Sequence, residues 1–311
     1  MTVINLKTGK EDTLPEGASL SCALGNFDGV HKGHAELLKK AAKKEYGTNI
    51  SAVWTFKIHP GICRNDKTVK ILTSVEQKCE AFSEFGIDYA ILEDFEKVAD
   101  LPPEIFAKEI LAEKLNVKHA VCGFNFSFGK KAEGKPALLE KVYSSLNRNV
   151  SVLPPYTENG EVVSSTLIRR NIEAGEIEKA NNLLGHPFSI FLPVTEGRKL
   201  GRKIGIPTIN QVFPENYAIP RFGVYACLCH VENEIYIGVS NVGIRPTITE
   251  KEKHINCETH ILDYSGYLYG KKIQVDFYKF IRPEIKFSSV EELAEEIRRN
   301  MDQIREYFAK K

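Results

Sequence analysis

A chain of 311 residues with 42% hydrophobic content is long enough to bury two compact cores rather than one. Forty-two Lys and Arg against 41 Asp and Glu leave a formal charge of +1. With no basic block to follow a phosphate backbone, a nucleic-acid partner is disfavoured. No apolar run approaches the roughly 20 residues that cross a bilayer, and the opening MTVINLKTGKEDTLPEG carries no leader pattern, so a soluble, cytoplasmic protein with no membrane partner is expected.

From Ser19 to about Tyr156 short apolar runs alternate with amphipathic stretches, the rhythm of strand and helix in a parallel α/β sheet. The expected strands are SLSCALGNF, NISAVWTF, DYAILEDF, KHAVCGFNF and VSVLPPY. Between them HAELLKKAAKKE, SVEQKCEAFSEFG, PPEIFAKEILAEKLN and PALLEKVYSSLN have helical character. In the first of these, Leu37, Leu38, Ala41 and Ala42 recur at helical spacing, with lysines on the other face.

Two further helical segments, SSTLIRRNIEAG and EIEKANNLLG, lead to Gly185-His186-Pro187, where helix should stop. The expected domain boundary lies there, giving domains 1–184 and 185–311. Beyond it, β-branched runs separated by Gly, Pro and Asn (FSIFLPV, GVYACLCHV, EIYIGVSNV, HINCETHILDY, KKIQVDFYKFI) suggest a small antiparallel barrel. Val290, Leu293, Ile297, Met301 and Ile304 mark one closing helix. The seven cysteines form an odd set without a C-x-x-C pair, and most lie in strand-like runs as small core residues.

The stretch LGNFDGVHKGHAELL, residues 24–38, runs from an apolar strand through a Gly-rich turn into a helix. His31, Gly33 and His34 fall at that turn, where backbone N–H groups and the helix dipole favour a phosphate. The two imidazoles can donate hydrogen bonds to a nucleoside triphosphate as charge builds during transfer; two surface histidines flanking a turn are the competing reading. In VSSTLIRR, residues 163–170, Ser164, Ser165 and Arg169 could contact the far end of a polyphosphate, or the hydroxyls could simply cap a helix.

In the second half, TEGRKLGRKIGIPTIN, residues 195–210, sets Gly197, Gly201 and Gly205 among four basic side chains and ends in Pro-Thr-x-Asn. Such a loop can wrap phosphates, and Thr208 and Asn210 offer the oxygen ligands that Mg²⁺ prefers; a generic basic loop is the alternative. In CETHILDY, residues 257–264, strand alternation puts Glu258 and His260 on one face. A strand carboxylate turned to a barrel core needs a partner or a task, so Glu258 is either a general base or a salt-bridged structural residue.

GNFDGVHKGH, TFKIHP (55–60), LTSVEQK (72–78), GFNFSFG (123–129) and VSSTLIR (163–169) resemble, in order, the adenylyltransferase module of prokaryotic FAD synthetases. GRKLGRKIGIPTIN, VSNVGIRPT (239–247), ETHILDYSGYLYGKKI (258–273) and FIRPEIKFSS (280–289) are similar to the riboflavin kinase module. The resemblance implies an HxGH-type nucleotidyltransferase with a Rossmann-like parallel sheet, then a small antiparallel β-barrel with a C-terminal helix. The implied enzyme is bifunctional: ATP and Mg²⁺ convert riboflavin to FMN and then FMN to FAD, with pyrophosphate released. A flavin-sensing relative that keeps one activity is the alternative, and association with further copies of the chain is left open.

Carried onto matching positions, the resemblance gives His31 and His34 catalytic roles, and Gly25, Asn26, Phe27, Asp28, Gly33, Ser164, Ser165 and Arg169 to the first ATP. Asn125 falls to the flavin phosphate or metal. In the second module it assigns Gly201, Arg202, Gly205 and Pro207 to ATP, Thr208 and Asn210 to the metal, Glu258 to the proton of the ribityl hydroxyl, and Arg282 and Phe287 to the flavin. Ile58 stands where the family more often has Pro, and Ser127 where it usually has Arg.

Overall fold

The computed structural model describes residues 1–197, 201, 205–245 and 254–310, and these divide into two compact units, Met1–Ser165 and Thr166–Lys311.

The first unit is built on seven strands: β1 (Thr2–Asn5), β2 (Lys10–Glu11), β3 (Leu20–Leu24), β4 (Ile50–Phe56), β5 (Tyr89–Glu93), β6 (Val117–Gly123) and β7 (Asn149–Leu153). They lie in the order β2-β1-β5-β4-β3-β6-β7. The five from β5 to β7 are mutually parallel, and β1 and β2 extend the edge in antiparallel fashion. Neither edge strand is expected from the sequence, since the first 18 residues lack a sustained apolar run.

Alternation along the central strands divides the core between the two sheet faces. Leu20, Cys22, Leu24, Ala52 and Trp54 belong to one cluster, and Ala23, Val53, Ala90 and Val121 to the other. The helices α1 (Lys32–Ala42), α2 (Val75–Glu84) and α3 (Pro136–Ser145) occupy the expected segments. Residues Phe106–Lys114 form a π-helix rather than a regular α-helix. Helix α2 opens on a capping box, in which Ser74 and Gln77 satisfy each other's backbone N–H.

In the second unit α4 (Ser165–Ala174), whose first residue closes the preceding unit, and α5 (Ile177–Leu184) precede the strands. Gly185 ends α5 in the left-handed conformation at φ 85°. Asn181 of α5 donates to the Phe277 carbonyl and accepts from Phe188 N–H, each at 2.7 Å.

Outside the β8–β9 hairpin (Thr157–Glu158, Glu161–Val162) of the first unit, the remaining strands form an antiparallel sheet. They are β10 (Phe188–Pro193), β11 (Ile209–Val212), β12 (Gly223–Val231), β13 (Glu234–Arg245), β14 (His254–Ile261) and β15 (Lys272–Arg282), in the order β10-β15-β12-β13-β14-β11. Strand β11, read above as part of a loop, is the sixth. It nearly closes the barrel on β10 through a bridge between Thr195 and Asn210. Buried Gln211 strengthens that seam by donating to the carbonyls of Leu192 and Ile273, each at 2.8 Å. Helix α6 (Val290–Ala309) seals one end with Ile304 fully buried. No helix among the described residues is long and apolar enough to cross a membrane.

Candidate active sites

The parallel strand order changes direction between β3 and β6, and in open α/β sheets ligands bind beyond the strand ends at such a switch point. A cavity of about 420 Å³ opens there, bounded by Leu24, Gly25 and Asn26 after β3 and by Gly123, Asn125 and Ser127 after β6. Trp54, Phe56, Phe95, Phe106 and Phe126 give it aromatic walls, and His34 lies in its lining.

The turn that presents His34 is held from within. Phe27, Gly29 and Val30 take φ of 52°, 82° and 37°, conformations that only a well-anchored loop maintains at non-glycine positions. Phe27 is buried against Phe82, so its ring belongs to the core. Asp28, 4% exposed, accepts from Leu72 N–H at 2.9 Å and Thr73 N–H at 3.2 Å. Its own carbonyl accepts from Ser165 Oγ at 2.8 Å. Asp28 and Ser165 therefore fasten the turn. Ser164 immediately precedes α4, and Arg169 lies four residues further along that helix than Ser165.

His31 caps α1, its Nδ1 accepting from His34 N–H at 3.3 Å. The imidazoles stack with centroids 3.6 Å apart, and a side chain at Gly33 would crowd the His31 ring. Burial pushes the His34 imidazole well below its ordinary pKa, and the neighbouring His31 and Lys78 charges push the same way. Its Nδ1 is buried with no hydrogen-bond partner among the described residues. In the free protein His34 is thus a neutral imidazole with one N–H to donate, rather than a fixed cation.

Lys78 is a residue the sequence reading passed over. It is 6% exposed, and its ammonium donates to the carbonyls of Asn26 at 3.3 Å and Phe56 at 3.4 Å. Burial lowers its pKa against the pull of the Asp28 carboxylate. A lysine inside an otherwise amphipathic helix gives no sequence signal of this; the contact arises because α2 packs under the β3 turn.

In the second unit two cavities meet at one residue. The first, about 310 Å³, is lined by Gly201, Thr208, Glu258, His260, Arg282 and Phe287 among others; the second, about 330 Å³, by Pro207, Thr208, Thr259, Tyr264, Tyr267 and Tyr269 among others. Thr208 faces both. Glu258 is the direct cross-strand partner of Asn210. The expected core-facing carboxylate is not what forms: Cys257 and Thr259 turn inward while Glu258 is exposed at the cavity. The pleat directs alternate residues outward, and here the outward face is the mouth of the site. His260 shares that cavity and donates from Nδ1 to the Pro207 carbonyl at 2.7 Å.

Gly201 is sterically required, because a Cβ there would collide with the Ile206 carbonyl oxygen. Gly205 adopts φ 74°, while Arg202 lies outside the described residues. Asn210 is 5% exposed and accepts at Oδ1 from Asn256 Nδ2 at 2.9 Å. Arg282 is tied to α6, with Nε 3.0 Å from Asn300 Oδ1 and 3.1 Å from Glu296, and its guanidinium lies 5.9 Å from the centre of the Phe287 ring. Among the described residues no group of three or more His, Cys, Asp or Glu side chains is arranged to hold a metal.

Comparison with known proteins supplies the identity. Residues 15–167 match the family model for FAD synthetase, and residues 184–308 that for riboflavin kinase. The chain belongs to the bifunctional riboflavin kinase/FMN adenylyltransferase family. Relatives of that description include one from Listeria monocytogenes, 38% identical over 93% of this chain and 92% of its own. Another, from Bacillus subtilis, is 35% identical over 94% of each chain. A crystal structure described as a macrolide-efflux protein from Streptococcus pneumoniae superposes with a TM-score of 0.81 at 27% identity, covering 97% of both chains; the shared feature is the fold. A riboflavin kinase/FMN adenylyltransferase phosphorylates riboflavin to FMN and adenylylates FMN to FAD, so its substrates are riboflavin, FMN and ATP. Kinase and adenylyltransferase domains of this kind work with a divalent metal.

Proposed function

We propose that the two reactions are divided between the two cavity systems, with adenylyl transfer beside His34 and phosphoryl transfer at Thr208, the boundary between modules falling near residue 184. The observation that carries this reading is Thr208, which lines two cavities at once, one of them holding Glu258 and the aromatic and aliphatic side chains suited to a flavin. Riboflavin in the Glu258 cavity and ATP in the tyrosine-lined one would bring the ribityl hydroxyl and the γ-phosphate together at Thr208.

Glu258 accepts the hydroxyl proton as the oxygen attacks the γ-phosphorus of ATP and ADP leaves, and positioning does most of the rest, as in phosphoryl transfer generally. Pro207, in the tyrosine-lined cavity, holds the nucleotide together with Arg202, Gly205 and Gly201, the last reaching it from the Glu258 cavity, while Arg282 and Phe287 bound the flavin. The donor set fits a hard divalent cation, which we take to be Mg²⁺: the Thr208 hydroxyl and the Asn210 amide oxygen, next to which lies the Asn256 amide, its Oδ1 buried and unpartnered among the described residues. Bound there, it would offset phosphate charge.

In the first unit the FMN phosphate, already ionised at neutral pH, attacks the α-phosphate of ATP and pyrophosphate leaves. His34 donates a hydrogen bond to the reacting phosphate, and His31 holds the His34 backbone and ring in place. Gly25, Asn26 and Gly33 allow the nucleotide to approach the backbone, and Asn125 bounds the flavin side. Phe27, Asp28 and Ser165 act by shaping the turn, with Ser164 and Arg169 reaching the polyphosphate. The seven free cysteines support work in a reducing compartment such as the cytoplasm.

The test is to incubate the protein with Mg-ATP and either riboflavin or FMN, and to resolve the flavins by chromatography. His34→Ala should lose FAD formation and keep riboflavin phosphorylation, and Glu258→Gln should do the reverse, with phosphorylation down roughly 10²-fold or more. Either variant losing both activities equally would refute the division.

A further inference from the structure

We propose that Asn256 is a positioning residue of the riboflavin kinase site, its single amide group setting both the metal ligand Asn210 and the base Glu258. The inference rests on the roles given above to those two residues.

Strand geometry brings the three together. Asn256 and Glu258 are two apart on β14, so their side chains leave the strand on the same side, and Asn210 faces Glu258 across the β11–β14 ladder. Asn256 Nδ2 lies 2.9 Å from Asn210 Oδ1 and 3.3 Å from Glu258 Oε1. A primary amide nitrogen carries two hydrogens and a carboxylate accepts only, so both contacts are donations from Asn256. The reverse orientation of the amide would set its oxygen against two acceptor oxygens. The network therefore fixes which end points where.

Each partner is constrained in a way that matters for transfer. With Oδ1 of Asn210 held toward Asn256, its Nδ2 sits against Gly197, where a Cβ would collide with it. The Asn210 amide is thus locked between a donor and a glycine, and Oδ1 keeps a second lone pair for a cation. Glu258 has Oε1 occupied by Asn256, which leaves Oε2 for the substrate hydroxyl.

The arrangement is not one that stability alone would select. Asn256 is 2% exposed, yet its Oδ1 has no hydrogen-bond partner among the described residues. A buried orphan acceptor costs stability that an apolar residue of similar size would avoid. What an apolar residue could not do is donate to Asn210 and Glu258 together.

The test uses the full chain with two near-isosteric substitutions. Asn256→Leu removes the amide; Asn256→Asp keeps the shape and replaces the donor by an acceptor. In both, kcat for riboflavin phosphorylation should fall roughly 10- to 100-fold, the scale of a small misplacement of reacting groups, while KM for riboflavin changes less than about twofold. Calorimetric titration with Mg-ADP, which needs no turnover, should show one of two binding classes weakened roughly tenfold and the other unchanged. FMN adenylylation in the same preparation should be unaffected. If Asn256→Leu loses the folded circular-dichroism signal, Asn256→Asp decides the matter. Wild-type kcat and Mg-ADP binding in a folded variant would overturn the proposal. Normal phosphorylation by Glu258→Gln would instead remove the reading of the site beneath it.

Discussion

Lowering the pH from 7 to 5 should weaken the first unit by about 2 kcal/mol through one buried histidine. His119 on β6 is fully buried, bridging Ser21 Oγ at 3.0 Å and Ser151 Oγ at 2.9 Å, with the edge of Tyr46 against its ring. A ring bonded at both nitrogens by hydroxyls can stay neutral with one donor and one acceptor. Burial drives its pKa from 6.5 down to about 4, with Glu45 pulling up and Lys40 pushing down. Because the folded value is depressed, the stabilisation is fully present above pH 6.5 and is lost as pH falls towards 4. By linkage, a group shifted that far contributes about 2 kcal/mol less at pH 5 than at pH 7 and about 3 kcal/mol less below pH 4.

Trp54 is the one tryptophan in the chain and lies in the first unit, so its fluorescence follows unfolding of that unit within the intact protein. Urea titrations at pH 7, 6 and 5 should show the midpoint falling, and His119→Gln should flatten the dependence by about one proton. His34, whose imidazole is also pushed towards the neutral form, adds a second contribution of the same sign that survives in the variant. Equal stability at pH 7 and 5, or an unchanged slope in His119→Gln, would refute the reasoning.

Gly201→Ala should cut riboflavin phosphorylation sharply while leaving FMN adenylylation intact, because its Cβ meets backbone at Ile206; paired assays on one preparation check it. FMN added to the wild-type protein should quench Trp54 fluorescence, since that ring lines the first cavity, and a saturable quench that is absent when buffer without flavin is added is the readout. A fragment beginning at Gly185 should make FMN yet melt below one beginning at Thr166. It lacks α5, whose Ile177, Ala180, Leu183 and Leu184 are buried, at roughly 1.5–3 kcal/mol for each large aliphatic side chain. Equal melting temperatures in calorimetry would show that α5 is dispensable.

The sequence is most legible where burial is two-sided. Strands such as SCALG and AVWTF are continuous apolar runs because both sheet faces are covered, and Gly25 to His34 reveal the first site because a strand turns there directly into a helix. What escaped has physical causes. Strand β11 is four residues long, and its buried members Asn210 and Gln211 are polar, so no hydrophobic pattern marks it. Glu258 was read as facing inward because alternation predicts which residues share a face but not which face meets solvent. Lys78 and Asn256 act through partners 52 and 46 residues away, a distance that local pattern does not span. The π-helical turns at Phe106–Lys114 leave the apolar spacing close enough to helical that the sequence shows no difference.

The seam between β10 and β11 has a consequence for how the kinase domain should fail. Five of the six barrel junctions are full ladders of backbone hydrogen bonds, whereas this one rests on the Thr195–Asn210 bridge and the Gln211 side chain. Asn210, proposed above as a metal ligand, stands on that thin junction. Warming should therefore part the barrel first at its catalytic edge, and phosphorylating activity should decline while the ladders elsewhere, and the circular dichroism they produce, are still whole.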